Sequence, residues 1–283
     1  MARLLSTQFF SHRLKPIPLP RNPSYHSGQV SMVVPTLSRN TTDFLAALDT
    51  WRANNPLEII LVTTDANLQW LEALVHHHVK KNGNVQIHAV PKAGKRRQIA
   101  FGLQHAKGDF VVLADADVFW GPQLLPHLLA CFEDKTVGAV GSRARVQSSA
   151  SSTQSVWHFL ADFRFAQRFC HVAATNLVDG GISCLSGRTA AYHARLLQDG
   201  DFIEAFTGDD WRGKHRLDSG DDTFITRWIQ ARGWKAVLQT YPAADIVTSA
   251  FESPKFLGQR IRWSRNAIRS FLRYLCDWRL MSR

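Results

Sequence analysis

From residue 30 onward, short apolar runs alternate with stretches of helical periodicity. VSMVV (30–34) and LEIILV (57–62) read as buried strands, with an amphipathic helix predicted over 42–54 between them. A second helix is predicted over about 67–81, followed by VQIHAV (85–90), a helix over about 95–106, and FVVLA (110–114). Near-continuous apolar strands separated by helices predict an α/β domain whose mainly parallel central sheet is covered on both faces. Beyond 137 the pattern is less regular: VGAVG (137–141) reads as a strand, 153–170 as an aromatic-rich amphipathic segment and 223–232 as a helix.

The last thirty residues, 254–283, have a different character. Leu257, Ile261, Ile268, Leu272, Leu275 and Trp278 recur at helical steps and trace one apolar face, while eight Lys and Arg residues stand against Asp277 alone, a net of +7. Most of the formal charge of the chain, +11, therefore lies on one predicted amphipathic helix. Such a helix suits an anionic membrane surface; packing against its own domain fits the pattern equally well. An excess of cations also suits other anionic partners, but an apolar stripe without a recognisable nucleic-acid motif argues against nucleic acid.

Three segments follow: a basic, proline-rich stretch over 1–29, a catalytic-type α/β domain over 30–253, and the basic helix over 254–283. Residues 1–29 lack acidic side chains, as a transit peptide would, yet Pro16, Pro18, Pro20 and Pro23 fit an extended lead-in to the first strand better. No apolar stretch is long enough to cross a bilayer. Cys131, Cys170, Cys184 and Cys276 form no C-x-x-C pair, so neither a zinc site nor a disulfide framework is expected, and a reducing compartment is the simpler assumption.

The candidate chemistry gathers at the carboxyl ends of the strands, where open parallel sheets bind ligands. Asp65 follows the second strand, and Asp115 and Asp117 follow the fourth in GDFVVLADADVFW. D-x-D sets two carboxylates on one side of an extended segment, a donor set for a hard divalent cation shared with substrate phosphates. Upstream, Lys92, Lys95, Arg96 and Arg97 open a helix whose free N–H groups also favour anions. Downstream, Asp221 and Asp222 of SGDDTFITRWI either cap a helix or supply a general base, and QRIRW (259–263) combines guanidinium forks with an indole platform. Glycine-rich dinucleotide and phosphate loops are absent.

VVPT, a strand-end aspartate, GKRRQIAFGLQHAKGD, DAD, LSGRTAAY, GDD and QRIRW occur in an order that resembles glycosyltransferase family 2, and specifically its processive hyaluronan, chitin and cellulose synthases. The resemblance runs from about Val30 to Trp263, and the insert WRGKHRLDSGDD is most similar to fungal polysaccharide-synthase-like members. It implies a GT-A fold, a UDP-sugar donor, a glycan acceptor and Mn2+ or Mg2+. By position it implies that Asp115 and Asp117 bind metal and diphosphate, that Asp65 contacts uridine, and that Lys95 is the lysine of the G-K-R element. Asp222 falls on the general base with Asp221 beside it in the substrate site, and Gln259, Arg262 and Trp263 match Q-x-x-R-W, which holds the diphosphate and borders the acceptor. It further implies a membrane-associated protein with its catalytic domain in the cytoplasm.

The chain departs from the family pattern in two places. The second strand ends in LVTTDAN, where a pair of acidic residues is commoner, and the membrane helices that flank processive members are missing. The expectation is therefore an inverting, metal-dependent glycosyltransferase domain that is a catalytic fragment, makes a short product, or is inactive. The rival reading is a non-catalytic basic module that binds a membrane or nucleic acid through 254–283.

Overall fold

In a computed structural model of the chain, which describes residues 7, 9–37, 40–79, 83–147, 155–249 and 253–276, every apolar run named above lies in a strand. The elements begin with β1 (Val30–Pro35), α1 (Thr41–Arg52), β2 (Glu58–Thr64), α2 (Leu68–His78), β3 (Val85–Val90), α3 (Lys95–His105) and β4 (Phe110–Ala114). Next come β5 (Val118–Trp120), α4 (Leu124–Ala130), β6 (Val137–Ser142), β7 (Ala144–Val146), α5 (Val156–Asp179), β8 (Thr189–His193), α6 (Ala194–Leu197) and α7 (Gly200–Gly208). They continue with β9 (Asp210–Trp211), β10 (His215–Arg216), α8 (Asp221–Ala231), β11 (Lys235–Gln239), β12 (Ile246–Thr248) and α9 (Lys255–Cys276).

The central sheet has seven strands in the order β11-β6-β8-β4-β1-β2-β3. β1 to β4 and the pair β6/β11 run parallel to their neighbours, whereas β8 is antiparallel to both β4 and β6. Because side chains alternate along a strand, β1 feeds two cores. Met32 and Val34 join Phe44, Leu48 and Trp51 beneath α1, while Val33 joins Ile99, Leu103, Phe202 and Phe224 beneath α3, α7 and α8.

A smaller sheet, β5-β12-β7, braces the loop that follows β4. The buried Trp51 donates its indole N–H to the Val118 carbonyl at 2.7 Å, and that of Trp120 reaches the Thr189 hydroxyl at 3.0 Å. Both ends of this loop are thus fastened to the main sheet or its covering helix. The proline-rich lead-in is extended and lies against the domain: Ile17 exchanges two hydrogen bonds with the side chain of Gln239, and Ser24 bonds Glu133.

The aromatic-rich segment forms a helix that runs nine residues past the end its pattern indicates, α5 ending at Asp179. In α9, Leu257, Ile261, Ile268 and Leu272 are between 42% and 61% exposed, so this part of the apolar stripe faces solvent. The side chain of Leu275 and all of Trp278 lie outside the described residues. No described helix is long and apolar enough to cross a membrane.

α3 sits close on β1 because residue 102 is glycine: a Cβ there would come within 2.4 Å of Val33 Cγ1. Gly102→Ala is expected to push α3 off the sheet and to cost about 1–3 kcal/mol despite the better helix propensity of alanine. Urea denaturation of the two proteins checks this, and equal or greater stability of the variant would disprove the close fit.

Candidate active site

Four elements end at one edge of the sheet and bring the predicted charges together. α3 begins at Lys95, β4 ends just before Asp115, α8 begins at Asp221, and β8 starts just after Arg188. The Lys95 ammonium reaches Asp115 Oδ1 at 2.7 Å and Asp221 Oδ2 at 3.0 Å. Pro35, Gly187 and Asp222 line the cleft beside it. Gly187 must be small here: a Cβ would stand 3.3 Å from that of Asp222 and 3.5 Å from Lys95 Nζ.

The charges are strongly unequal in their surroundings. Burial alone would lower the Lys95 pKa, but Asp115 and Asp221 outweigh it and hold the amine well above its usual value. Burial raises the pKa of the Asp221 carboxyl, as do the charges of Asp222 and Asp115, against the downward pull of Lys95. Desolvation and the nearby Asp115 charge push Asp117 up as well, opposed by Arg188. Asp115 and Asp117 therefore form a pair of hard oxygen donors whose mutual repulsion a divalent cation would relieve. Among the described residues no group of three or more His, Cys, Asp or Glu converges, so such a cation would depend on ligand oxygens to complete its shell.

α9 meets this cluster through aromatic contacts. The Arg188 guanidinium lies 4.4 Å from the Phe165 ring centroid and 5.2 Å from that of Trp263, and it is also close enough to Asp115 and Asp117 to feel both charges. Trp263 is thereby linked to the D-x-D pair through a single side chain. Gln259 is half-buried on the same helix, and Arg262 is exposed.

A model of glycosyltransferase-like family 2 matches residues 28–266. The chain belongs to glycosyltransferase family 2. It is 37% identical over 257 residues to a type 2 glycosyltransferase of Zymoseptoria tritici, covering 90% of this chain and 53% of that protein. It is 34% identical over 280 residues to the NDP-glycosyltransferase ltbB of Aspergillus luteorubrus, covering 94% of this chain and 66% of the relative, and 24% identical over 259 residues to a hyaluronan synthase of Streptococcus pyogenes, covering 89% and 59%. The chain spans about half the length of the fungal type 2 glycosyltransferases it matches. A mannosyltransferase from Pyrobaculum calidifontis, solved in complex with GDP-Man and Mn2+, superposes with a TM-score of 0.66 at 21% identity, over 98% of this chain and 73% of that one. The glycosyltransferase thus has the GT-A fold that its motifs led one to expect.

Not every expected residue joins the cluster. Asp65 is exposed at the end of β2, separated from β4 by β1, and makes no ion pair with the cluster. Of the four basic residues around the start of α3, only Lys95 faces it. Lys92 and Arg97 are exposed, and Arg96 turns inward to a buried ion pair with Asp209 at 2.8 Å. The backbone N–H groups of Lys95 and Arg96 are occupied by the Asp218 carboxylate, at 3.3 and 3.4 Å.

Arg188 was legible in LSGRTAAY only as a motif residue. Its signal is the one that marked Asp115: a charge at the end of an apolar run. Because β8 is antiparallel, its first residues meet the carboxyl ends of the parallel strands, and Asp115 N–H donates to the Arg188 carbonyl at 3.1 Å.

The central lysine makes a testable demand on stability. Lys95→Met leaves Asp115 and Asp221 without their shared cation, and because Lys95 is about one-third exposed the expected cost at pH 7 is about 1–3 kcal/mol. A carboxyl whose folded pKa is raised favours folding when protonated and loses that contribution as pH rises through its folded value. The deficit of the variant should therefore shrink as pH falls towards 4, as Asp221 and Asp117 take up protons. Denaturation curves at several pH values read this directly; a deficit independent of pH would contradict it.

Proposed function

We propose that the glycosyltransferase catalyses inverting transfer of a sugar from a UDP-sugar to a hydroxyl of a growing polysaccharide or another glycan acceptor. The observation that carries this reading is the Lys95 ammonium held between Asp115 and Asp221, with Asp222 the next residue along the same helix. Asp115 and Asp117 would hold Mn2+ or Mg2+ and, through it, the diphosphate, and a bound cation would neutralise charge on the leaving group. Lys95 and Arg188 bring two further positive charges to the same edge, where charge gathers as the sugar–phosphate bond breaks. Asp65 contacts the uridine, and Gln259, Arg262 and Trp263 border the diphosphate and the acceptor.

Asp222 is the general base in this reading. It takes the proton of the acceptor hydroxyl as that oxygen attacks the anomeric carbon from the face opposite the departing UDP, so the configuration inverts in one displacement. Asp221 serves indirectly, since its bond to Lys95 fixes the start of α8 and so the place of Asp222.

Residues 30–253 then form the catalytic domain and 254–283 an interfacial segment on a cytoplasmic membrane face. The solvent-exposed apolar residues of α9 support the membrane contact, and free Cys131, Cys170 and Cys184 fit a reducing compartment. The relatives' names point to nucleoside diphosphate sugars without fixing the base, so the donor screen should include GDP-mannose beside the UDP-sugars.

With Mn2+ present, UDP release is expected from at least one UDP-sugar and is expected to stop on addition of EDTA. No release from any donor would favour the non-catalytic binding module. Asp222→Asn should lower transfer by about 10²- to 10⁴-fold with UDP affinity unchanged. Asp117→Ala should instead weaken UDP binding in Mn2+ while leaving the metal-independent part intact, measured by calorimetry. Full transfer by Asp222→Asn would remove the assignment of the base.

A further inference from the structure

Behind the start of α8, on the side away from Lys95, a small solvent-open pocket of about 20 Å³ lies between α8, α9 and the 209–220 loop. Arg96, Arg227, Arg269 and Arg273 all line it, and Asp209 is the single carboxylate among the described residues of its walls. Asp209 is committed already: it pairs with Arg96 at 2.8 Å and with Arg273. Arg269 donates to Asn266 and, at 3.5 Å, to the Ser219 hydroxyl, neither of which carries charge.

Two polar groups at this pocket are buried and unsatisfied. Ser270, on α9, is 8% exposed and its hydroxyl has no hydrogen-bond partner among the described residues; Arg96 is 3% exposed and its Nε has none among them. Unpaired donors in a buried wall are costly, and guanidiniums facing one another without enough carboxylate repel. Desolvation and the nearby charges of Arg265, Arg273 and Arg96 together lower the Arg269 pKa, the same imbalance seen from the arginine. An anion of tetrahedral shape would balance the excess of guanidiniums along this wall, Arg269 first, and planar guanidinium forks suit phosphate oxygens.

We propose that this pocket is a binding site for a phosphate-bearing anion, separate from the Asp115/Asp117 edge. Its occupant reaches the active site through the backbone: Arg96 Nη2 donates to the carbonyls of Ser219 at 3.4 Å and Gly220 at 3.3 Å, the two residues before Asp221. The source of the phosphate is either free in solution or a lipid headgroup, since exposed Ile268, Phe271 and Leu272 flank Arg269 on α9.

Titration of the purified chain with inorganic phosphate at constant ionic strength, followed by calorimetry and thermal midpoint, tests the site without any sugar donor. Binding to the wild type is expected to be about tenfold tighter than to Arg269→Gln, the loss of a charge-assisted hydrogen bond. Arg265→Gln, which removes an equal charge one turn away outside the pocket, should bind as the wild type does. Arg269→Lys, which keeps the charge and loses the fork, should fall between and guards against misfolding of the glutamine variant. Sedimentation with phosphatidic acid vesicles, set against phosphatidylcholine vesicles, distinguishes the source: dependence on Arg269 but not on Arg265 in this arm alone assigns a lipid headgroup. Equal loss in Arg269→Gln and Arg265→Gln, or no binding in either arm, overturns the proposal.

Discussion

Lys95 carries one positive charge into a space that already holds Asp115 and Asp221, and its ammonium reaches both carboxylates. Without it, three elements that share one apolar core would bring like charges to one sheet edge. The lysine lets β4, α3 and α8 end within a few ångströms of each other, and it spaces the acidic residues instead of allowing them to repel. Gly187 completes the fit by contributing backbone where a Cβ would crowd Asp222 at 3.3 Å. The order of the site thus rests on charge balance together with the packing beneath it.

That balance is transmitted outward along two routes. One leads through Arg188 to Phe165 and Trp263, and so to α5 and α9. The other leads through Arg96 to Asp209 and Arg273, again ending on α9. The basic helix, part of whose apolar stripe is turned to solvent, is therefore joined to Asp115 and Asp117 on one side and to the backbone before Asp221 on the other.

Much of this was legible in the sequence. Strands buried on both faces announce themselves as continuous apolar runs, so β1 to β4 and their intervening helices, α1 to α3, follow from periodicity with only small shifts at their ends. Lys95, Asp115 and Asp221 could be named because each stands where an apolar element begins or ends. The direction of β8 could not be read, since TAAYH looks the same whichever way it runs, and with it went the placing of Arg188. Nor could the pattern separate Arg96 from Lys95: adjacent residues on a helix point about 100° apart, one into the cluster and one into the core. Asp209 and Asp218 lie in an insert of short strands and turns, where neither period applies and only the folded loop reveals their partners.

Asp218 has an effect beyond capping α3. By taking the N–H groups of Lys95 and Arg96, it leaves that helix end fewer free amides to offer an incoming anion. In the proposed reading an anion at this edge is met chiefly by side chains, Lys95 and Arg188 among them, and side chains can swing whereas a backbone cradle cannot. A catalyst must let go of a product as highly charged as the reactant it captured, and grips mounted on hinges release more readily than a fixed socket.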